Sequence, residues 1–240
     1  MRHALFARLL DFLLPPICGI CYCPVSENTT LCPDCFGKIN FISKPYCPIC
    51  GRPLPFDIMG ECICAKCLTK RPLFLKARAA VRYDEISKKI LLPFKHGDRL
   101  DLAPLMIKLM RRAADELMPE TDIILPVPLH RWRILKRKYN QSAILANRLA
   151  KMYQKPYAPC VLKRVRATPS QGHLSAIERK KNVTKAFKVT KPDKIKGKRI
   201  LLIDDVLTTG ATANECTKVL LRAGAKQVCL LTFAATHKKG

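Results

Sequence analysis

The chain is short of acid. Its 240 residues carry 18 Asp and Glu against 44 Lys and Arg, a formal net charge of +26. From Arg131 to Arg199 there are 21 basic residues and two acids, Glu178 and Asp193. Such a belt suits a polyanion: nucleic acid, a phosphorylated ligand or anionic lipid. A solvated lysine-rich surface would carry the same charge. Long apolar runs are also missing. Nothing approaches the ~18 residues of a membrane span, although 48% of the residues are apolar, enough for a real core. In MRHALFARLLDFLLPPI (1–17), Arg8 and Asp11 interrupt the apolar region and no small-residue cleavage site follows, which argues against an export signal. Leu5, Phe6, Leu9, Leu10 and Leu13 recur at helical spacing, so an amphipathic helix is expected over 1–17, packed on the body of the protein or docked on a membrane surface or a partner. Gly-Lys-Ser/Thr and G-x-G-x-x-G are absent from the candidate ligand loop at 201–212, which excludes a Walker A loop and the usual dinucleotide fingerprint there.

Cysteine is abundant and unevenly placed. Of 13, ten lie between Cys18 and Cys67, and eight of these form C-x-x-C pairs: Cys18 and Cys21, Cys32 and Cys35, Cys47 and Cys50, Cys64 and Cys67. Two intervening residues let a tight turn aim both sulfurs at one metal, and two such pairs complete a tetrahedral thiolate site for zinc. The spacing predicts a double zinc ribbon over 18–72 with two structural zinc ions. Pairing in sequence order and cross-braced pairing use the same residues. Disulfides would require an oxidising compartment, and a single C-x-x-C could be a redox dithiol, but four in fifty residues form a metal pattern. Cys23 and Cys62 are left over, and Cys62 could compete with Cys64. Cys160, Cys216 and Cys229 stand alone in apolar surroundings and read as core. This segment is poor in aliphatic residues, so its fold would depend on the metal. It offers no open coordination position and is read as structural or recognitive.

From about Leu75 an alternating α/β texture begins, giving a second domain over 75–240. Strands are expected at 77–83, 121–129, 199–204 and 227–233. Helices are expected at 86–97, ended near Pro93, and at 102–117, 142–153 and 214–224, the last with Gly224 just past its end. The apolar strand RILLID, a helix and the strand QVCLLTF form a βαβ unit, and the fold class is an open, mostly parallel α/β sheet flanked by helices. Ligands bind such sheets at the C-terminal strand ends. At that address lies LLIDDVLTTGAT (201–212). Asp204 and Asp205 end the strand; Val206, Thr208, Thr209, Gly210, Ala211 and Thr212 lead into the helix, with Thr212 and Glu215 in capping-box spacing. The helix N-terminus suits a phosphate, and Gly210 lets backbone approach it. Two carboxylates cannot favour the same phosphate, but they can accept hydrogen bonds from sugar hydroxyls and help place Mg²⁺. The pattern suggests a ligand carrying both hydroxyls and phosphate.

Apolar strand, Asp-Asp, a short gap and Thr-Thr-Gly-x-Thr closely resemble the 5-phosphoribosyl-1-pyrophosphate (PRPP) motif of type I phosphoribosyltransferases. That resemblance implies Asp204 and Asp205 on the ribose 2′- and 3′-hydroxyls, Thr208 to Thr212 around the 5′-phosphate, and Mg²⁺ bound with PRPP. It places Pro126, Val127, Pro128 and Leu129 in the pyrophosphate loop. Over nearly the whole chain, the four C-x-x-C pairs, LPVPLHRWRILKRKYNQ (125–141), the downstream Gln171, Arg179, Asn182 and Phe187, and the Asp-Asp motif resemble the ComF/GntX family. Family members carry P-V-P-L followed by R-G-F-N-Q. Here Arg137, Asn140 and Gln141 match, while Lys138 stands for the glycine and Tyr139 for the phenylalanine.

The family resemblance implies action in natural transformation, the uptake of single-stranded DNA, with single-stranded DNA and competence-machinery proteins as partners. The expected location is cytoplasmic, peripheral at the inner membrane if the N-terminal helix docks there. An active phosphoribosyltransferase is the alternative. Pyrophosphate would then leave PRPP and a nitrogen nucleophile would attack C1, with Arg131, Arg133, Arg137 and Lys138 neutralising the leaving group and His96 or His130 moving protons. A PRPP-sensing regulator whose ribbons bind a partner is the third reading. Aromatics are few in the second domain and no hood for a nucleobase is identifiable, which favours binding over routine base salvage.

Overall fold

The computed structural model describes residues 15–54, 62–130, 138–166 and 176–236; of residues 176, 177, 179 and 180 the backbone alone is considered. Most of the expected N-terminal helix therefore lies outside the described residues. Residues 15–17 are not helical: Ile17 bridges Pro24 in the first Cys-rich turn.

Two short helices, α1 (Pro33–Gly37) and α2 (Ala65–Thr69), belong to the Cys-rich part. Beyond it follow β1 (Ala77–Arg82), α3 (Glu85–His96), α4 (Ala103–Leu117), β2 (Ile123–Pro126) and α5 (Gln141–Met152). Then come β3 (Leu162–Arg164), α6 (Ala176–Val183), β4 (Phe187–Val189), β5 (Arg199–Leu207), α7 (Ala211–Arg222) and β6 (Gln227–Ala235). The four long-range strands form a parallel sheet in the order β1-β6-β5-β2, while β3 and β4 make a separate antiparallel pair. The parallel α/β expectation holds. The small ribbon had no signal, because three-residue strands show no periodicity to read.

Both faces of the sheet are covered, which is why its strands read as unbroken apolar runs. Leu201 and Ile203 of β5 pack with α3, α4 and α5. Ile200 and Leu202 pack with α7 and the β3–β4 ribbon. Helix α4 buries Leu105, Met106, Leu109, Met110, Ala114 and Leu117, each worth about 1.5–3 kcal/mol against an exposed reference for the larger side chains.

Several expected boundaries move, the strand at 121–129 shortening to 123–126 and the helix at 214–224 shifting to 211–222, and two of the shifts bear on the site. Helix α3 runs through Pro93 rather than ending there. An Asp84–Ser87 capping box fixes its start, and Ile90, Leu91 and Phe94 are buried on both sides of the proline. That burial outweighs the lost backbone bond. Strand β5 continues to Leu207, with Asp204 opposite Thr232 and Val206 opposite Ala234, so the two aspartates sit inside the paired strand rather than at its end.

The Cys-rich part is built onto the sheet. Strand β1 would be an open edge, and residues 40–42 cover it: Phe41 bridges Val81, Ile42 N donates to Ala80 O at 2.9 Å, and Arg82 N donates to Asn40 O at 2.8 Å. Ala77 N donates to Ile49 O at 2.7 Å. At Gly51, φ is +69° and a Cβ would stand 2.6 Å from Ala77 O, so only glycine permits this approach. Buried Arg78 bonds Glu116 (2.7 Å) and the Pro48 carbonyl (3.0 Å), and stacks on Tyr46.

Candidate functional site

The thiols gather in two clusters. Sulfurs of Cys47, Cys50, Cys64 and Cys67 lie within 4.8 Å of one another, as the spacing required of neighbouring pairs. Pairing in sequence order is thus the arrangement found. In the first cluster the mutually close set is Cys18, Cys21, Cys23 and Cys32. Cys23 stands where Cys35 was expected. Cys35 is nevertheless buried, its amide donates to Cys32 Sγ at 3.4 Å, and burial followed by the Cys21, Cys32 and Cys18 thiols drives its own thiol upward. Five thiols therefore face one centre.

The donor chemistry fits zinc. Burial pushes the Cys18 thiol up, but the backbone amides of Cys21, Cys32 and Ile20 outweigh it and bring the group down to about 6. In the same way the amides of Cys50, Cys64 and Ile49 outweigh burial and bring Cys47 down to about 7. The Cys23 amide lowers Cys21 as well, so each cluster holds at least one thiol drawn toward its thiolate among closely spaced neighbours, which favours a divalent cation displacing the remaining protons. Among the lone cysteines, Cys216 and Cys229 are buried as expected. Cys160 is exposed, because it occupies the turn ahead of β3 rather than a strand.

A second centre lies at the top of β5. A cavity of about 420 Å³ is bordered by Asp204, Asp205, Thr208, Gly210 and Thr212 on one side, and by Val127, Pro128 and Leu129 on the other. The two motifs named from the sequence thus meet. Val127 N donates to Ile203 O at 2.9 Å, which fastens the loop after β2 to β5. Asn140 caps α5 by accepting from Ser142 N, and its Nδ2 donates to Val127 O at 3.1 Å. Gln141, 1% exposed, donates to Lys95 O at 3.0 Å. Asn140 and Gln141 therefore hold the walls of the cavity in place. Arg137, Arg131, Arg133 and Gln171 lie outside the described residues. Pro126 ends β2. His96 lines the cavity and His130 is buried.

The two aspartates have different partners. Asp204 Oδ1 accepts from Ser142 Oγ at 3.0 Å and from Asp205 N at 2.9 Å. Asp205 Oδ2 pairs with Lys95 Nζ at 3.0 Å. Burial first, and the Asp205 charge second, push the Asp204 carboxyl up to about 7. Thus one aspartate is neutralised by a lysine and its neighbour keeps a proton near neutrality, the usual outcome for adjacent carboxylates. Lys95, Ser142 and the buried Arg164, which also lines the cavity, had no signal in the sequence. Each comes from another element, and only the fold brings them to the motif.

The turn from β5 into α7 differs from the expectation in one respect. Gly210 is the N-cap of α7 in the left-handed region, φ +81°, with no side-chain cap. Helix α7 begins at Ala211, so Thr212 is its second residue and the expected Thr212–Glu215 capping box does not form. Glu215 Oε1 instead accepts from Lys185 N at 2.8 Å. Ala211 N makes a long bond to Thr209 Oγ1 at 3.4 Å, and with no side-chain cap from Gly210 this helix N-terminus suits an anion. Asn182 O accepts from Arg166 at 2.9 Å, and Phe187 is buried beneath the Arg164 guanidinium.

Two family models match the chain. Residues 9–68 match the family model of the double zinc ribbon domain, and residues 140–240 match that of the phosphoribosyl transferase domain. The chain is 31% identical over 206 residues to competence protein F of Haemophilus influenzae, covering 82% of this chain and 87% of that protein. It is 30% identical over 223 residues to DNA utilization protein YhgH of Escherichia coli, covering 90% and 95% respectively. Adenine phosphoribosyltransferase from Saccharomyces cerevisiae superposes with a TM-score of 0.39 at 16% identity, over 59% of this chain and 72% of that one. No helix among the described residues is long and apolar enough to cross a membrane.

Proposed function

Since the chain belongs to the competence protein F (ComF) family, we propose that it binds PRPP, or a related phosphorylated ribose, at the β5–α7 junction and acts in the handling of incoming DNA. One observation carries the ligand: a hydroxyl-accepting Asp204–Asp205 pair and the left-handed Gly210 turn share one cavity of about 420 Å³ with the Val127–Leu129 loop. Ribose hydroxyls on the carboxylates, the 5′-phosphate on the α7 amides and pyrophosphate toward Val127–Leu129 match the acid and anion-binding parts of that cavity. The positions proposed for contact are Asp204, Asp205, Val206, Thr208, Thr209, Gly210, Ala211 and Thr212. Mg²⁺ would neutralise the pyrophosphate, and zinc in the two thiolate clusters would hold the ribbon that covers β1.

The role in DNA uptake rests on the names of the relatives, competence protein F and DNA utilization protein, and on the net charge of +26. Competence-machinery proteins are the corresponding partners, and work at the cytoplasmic side of the inner membrane is the corresponding place. The deciding experiment is calorimetry with PRPP and Mg²⁺ on wild type and on Asp204→Asn/Asp205→Asn. Saturable 1:1 binding lost in the double variant is expected. Equal heats from both proteins would end the PRPP reading. For DNA, a steep fall in oligonucleotide affinity with rising salt is expected, and no binding at low salt would remove that part.

A further inference from the structure

The phosphate loop has a second side. Behind it, between the second Cys cluster and α7, lies another cavity of about 570 Å³. It does not open through the aspartates. The two cavities share Leu207, Thr208, Gly210, Ala211 and Thr236, so the loop is a common wall.

The chemistry of this cavity differs from that of the first. Five cations line it: Arg52, Lys66, Lys70, Arg71 and Lys218. No ion pair ties any of them to a carboxylate among the described residues. Glu215 is the one acid among the described residues of the lining, and its carboxylate is engaged by Lys185 N. Converging like charges raise the free energy of the empty site and favour an anion. The floor is apolar, made by Leu73, Phe74, Val183 and Leu207. Arginine and lysine around an apolar floor match a ligand with a flat apolar body and a charged end.

The wall is also fixed. Lys66 of α2 donates to Thr209 O at 3.4 Å, and Leu73 N donates to Asn214 Oδ1 of α7 at 2.7 Å. Lys66 sits between the thiols of Cys64 and Cys67, so the metal-binding turn itself sets one side of the cavity. A site built from two parts of the chain, tied by hydrogen bonds and carrying unpaired charge, is a ligand site rather than a packing gap.

We propose that this cavity binds a nucleoside 5′-phosphate, with the base against Phe74 and Leu207 and the phosphate among Lys66, Lys70 and Lys218. The site is distinct from the phosphoribose cavity and does not depend on that reading. Because the Leu207–Ala211 loop walls both, occupancy of one side shifts affinity on the other.

The test is calorimetry on the full-length zinc-loaded protein at low salt, with AMP as the probe and ribose 5-phosphate present in saturating amount to fill the first cavity. One AMP per chain is expected to bind. Lys70→Glu/Lys218→Glu, two substitutions near the solvent side of the cavity, should weaken AMP at least tenfold with zinc content and circular dichroism unchanged. Asp204→Asn/Asp205→Asn should lose ribose 5-phosphate and keep AMP. A 5′-phosphorylated thymidine tetramer, run in parallel, distinguishes a strand end from a free nucleotide; dependence of either ligand on Lys70 and Lys218 supports the site. Neither ligand binding, or binding indifferent to the charge reversal, overturns the proposal. Failure of ribose 5-phosphate to bind wild type would count against the phosphoribose reading alone, and the AMP titration would then be read on the free protein.

Discussion

Lys95 Nζ stands 3.0 Å from Asp205 Oδ2, and the two side chains are 18% and 16% exposed. This pair is what lets two aspartates sit side by side in a strand. Removing the cation leaves a poorly solvated carboxylate beside Asp204. Lys95→Met should therefore destabilise the protein by about 1–3 kcal/mol, below the cost of breaking a fully buried pair. In Asp205→Asn the same Lys95→Met change should cost much less. A urea double-mutant cycle measures this, and coupling indistinguishable from zero would mean that the ion pair does not hold the strand end.

The proton on Asp204 gives a pH signature. An unfolded aspartate titrates near 4, whereas burial and the Asp205 charge hold Asp204 up to about 7. Between those values the folded protein binds a proton that the unfolded chain has lost. Its contribution to stability therefore falls as pH rises from about 4 to about 7 and is level above that. Asp204→Asn removes the dependence. Relative to wild type it should be about neutral near pH 5 and more stable, on the order of 2 kcal/mol, at pH 8. Taking the difference between the two proteins cancels the pH dependence of the zinc sites. A flat difference from pH 5.5 to 8 would show that Asp204 is ionised throughout. For PRPP the same titration predicts that affinity rises about tenfold from pH 6 to 8, because only the carboxylate accepts two hydroxyl bonds. Proton release on binding, read from calorimetry in buffers of different ionisation enthalpy, separates this from titration of the ligand.

The contact between Gly51 and β1 isolates ribbon docking from metal binding. Gly51→Ala puts a Cβ 2.6 Å from a backbone carbonyl at a φ of +69°. No flexible side chain can yield there. A loss of about 2–4 kcal/mol is expected, with both zinc ions retained. Gly37→Ala is the control. It lies in α1, with nothing within 4 Å of the added carbon, and should change stability by less than about 0.5 kcal/mol. Equal unfolding midpoints for the two variants would refute the close approach.

What could be read from the sequence was local. A C-x-x-C pair and a strand-loop-helix anion turn are each specified by residues within a dozen positions, so the thiols of the second cluster and Asp204 to Thr212 were found directly. What was missed is long-range. Lys95 reaches Asp205, and Ser142 reaches Asp204, only because α3 and α5 pack on the same face of the sheet. Pro93 was read as a helix end, since propensity does not register the burial of Phe94 on its far side. Cys160 was read as core because its neighbours are apolar, although the turn exposes it.

Lys138, in place of the family's glycine, adopts φ +65°. A left-handed conformation costs a non-glycine residue about 1–2 kcal/mol. Its partner Asp98, at 2.9 Å, is exposed too, so the pair contributes no more than about 1 kcal/mol. Lys138→Gly relieves strain but loses the pair and gains unfolded-chain entropy. The net change should be under about 1 kcal/mol, whereas Lys138→Val, branched at Cβ, should destabilise by more than that. Chemical denaturation of both variants checks this. If valine were tolerated as well as glycine, the left-handed turn would be absent from the folded protein.

Five thiols around the first cluster are one more than zinc takes. Cys21 Sγ is 3.4 Å from Cys23 Sγ and 3.6 Å from Cys32 Sγ, so Cys23 lies within the ligand set. Its thiol is pushed up to about 12 by Cys21 and Cys32 beside it, as expected for a group that must share negative charge with its neighbours unless a cation is present. Cys35 lies outside the mutually close set, but its thiol faces Cys21, Cys32 and Cys18, which makes it the second candidate for the fourth ligand. Either single substitution, Cys23→Ser or Cys35→Ser, should then retain two zinc ions per chain. The double variant should retain one and lose the first cluster's fold, while Cys47→Ser alone should lose the second ion, since Cys62 lies outside the mutually close set of that cluster and turns to Ile63 O. Metal analysis by mass spectrometry after dialysis measures all four. Loss of zinc in Cys35→Ser alone would make Cys23 a bystander, and loss in Cys23→Ser alone would exclude Cys35 as its substitute.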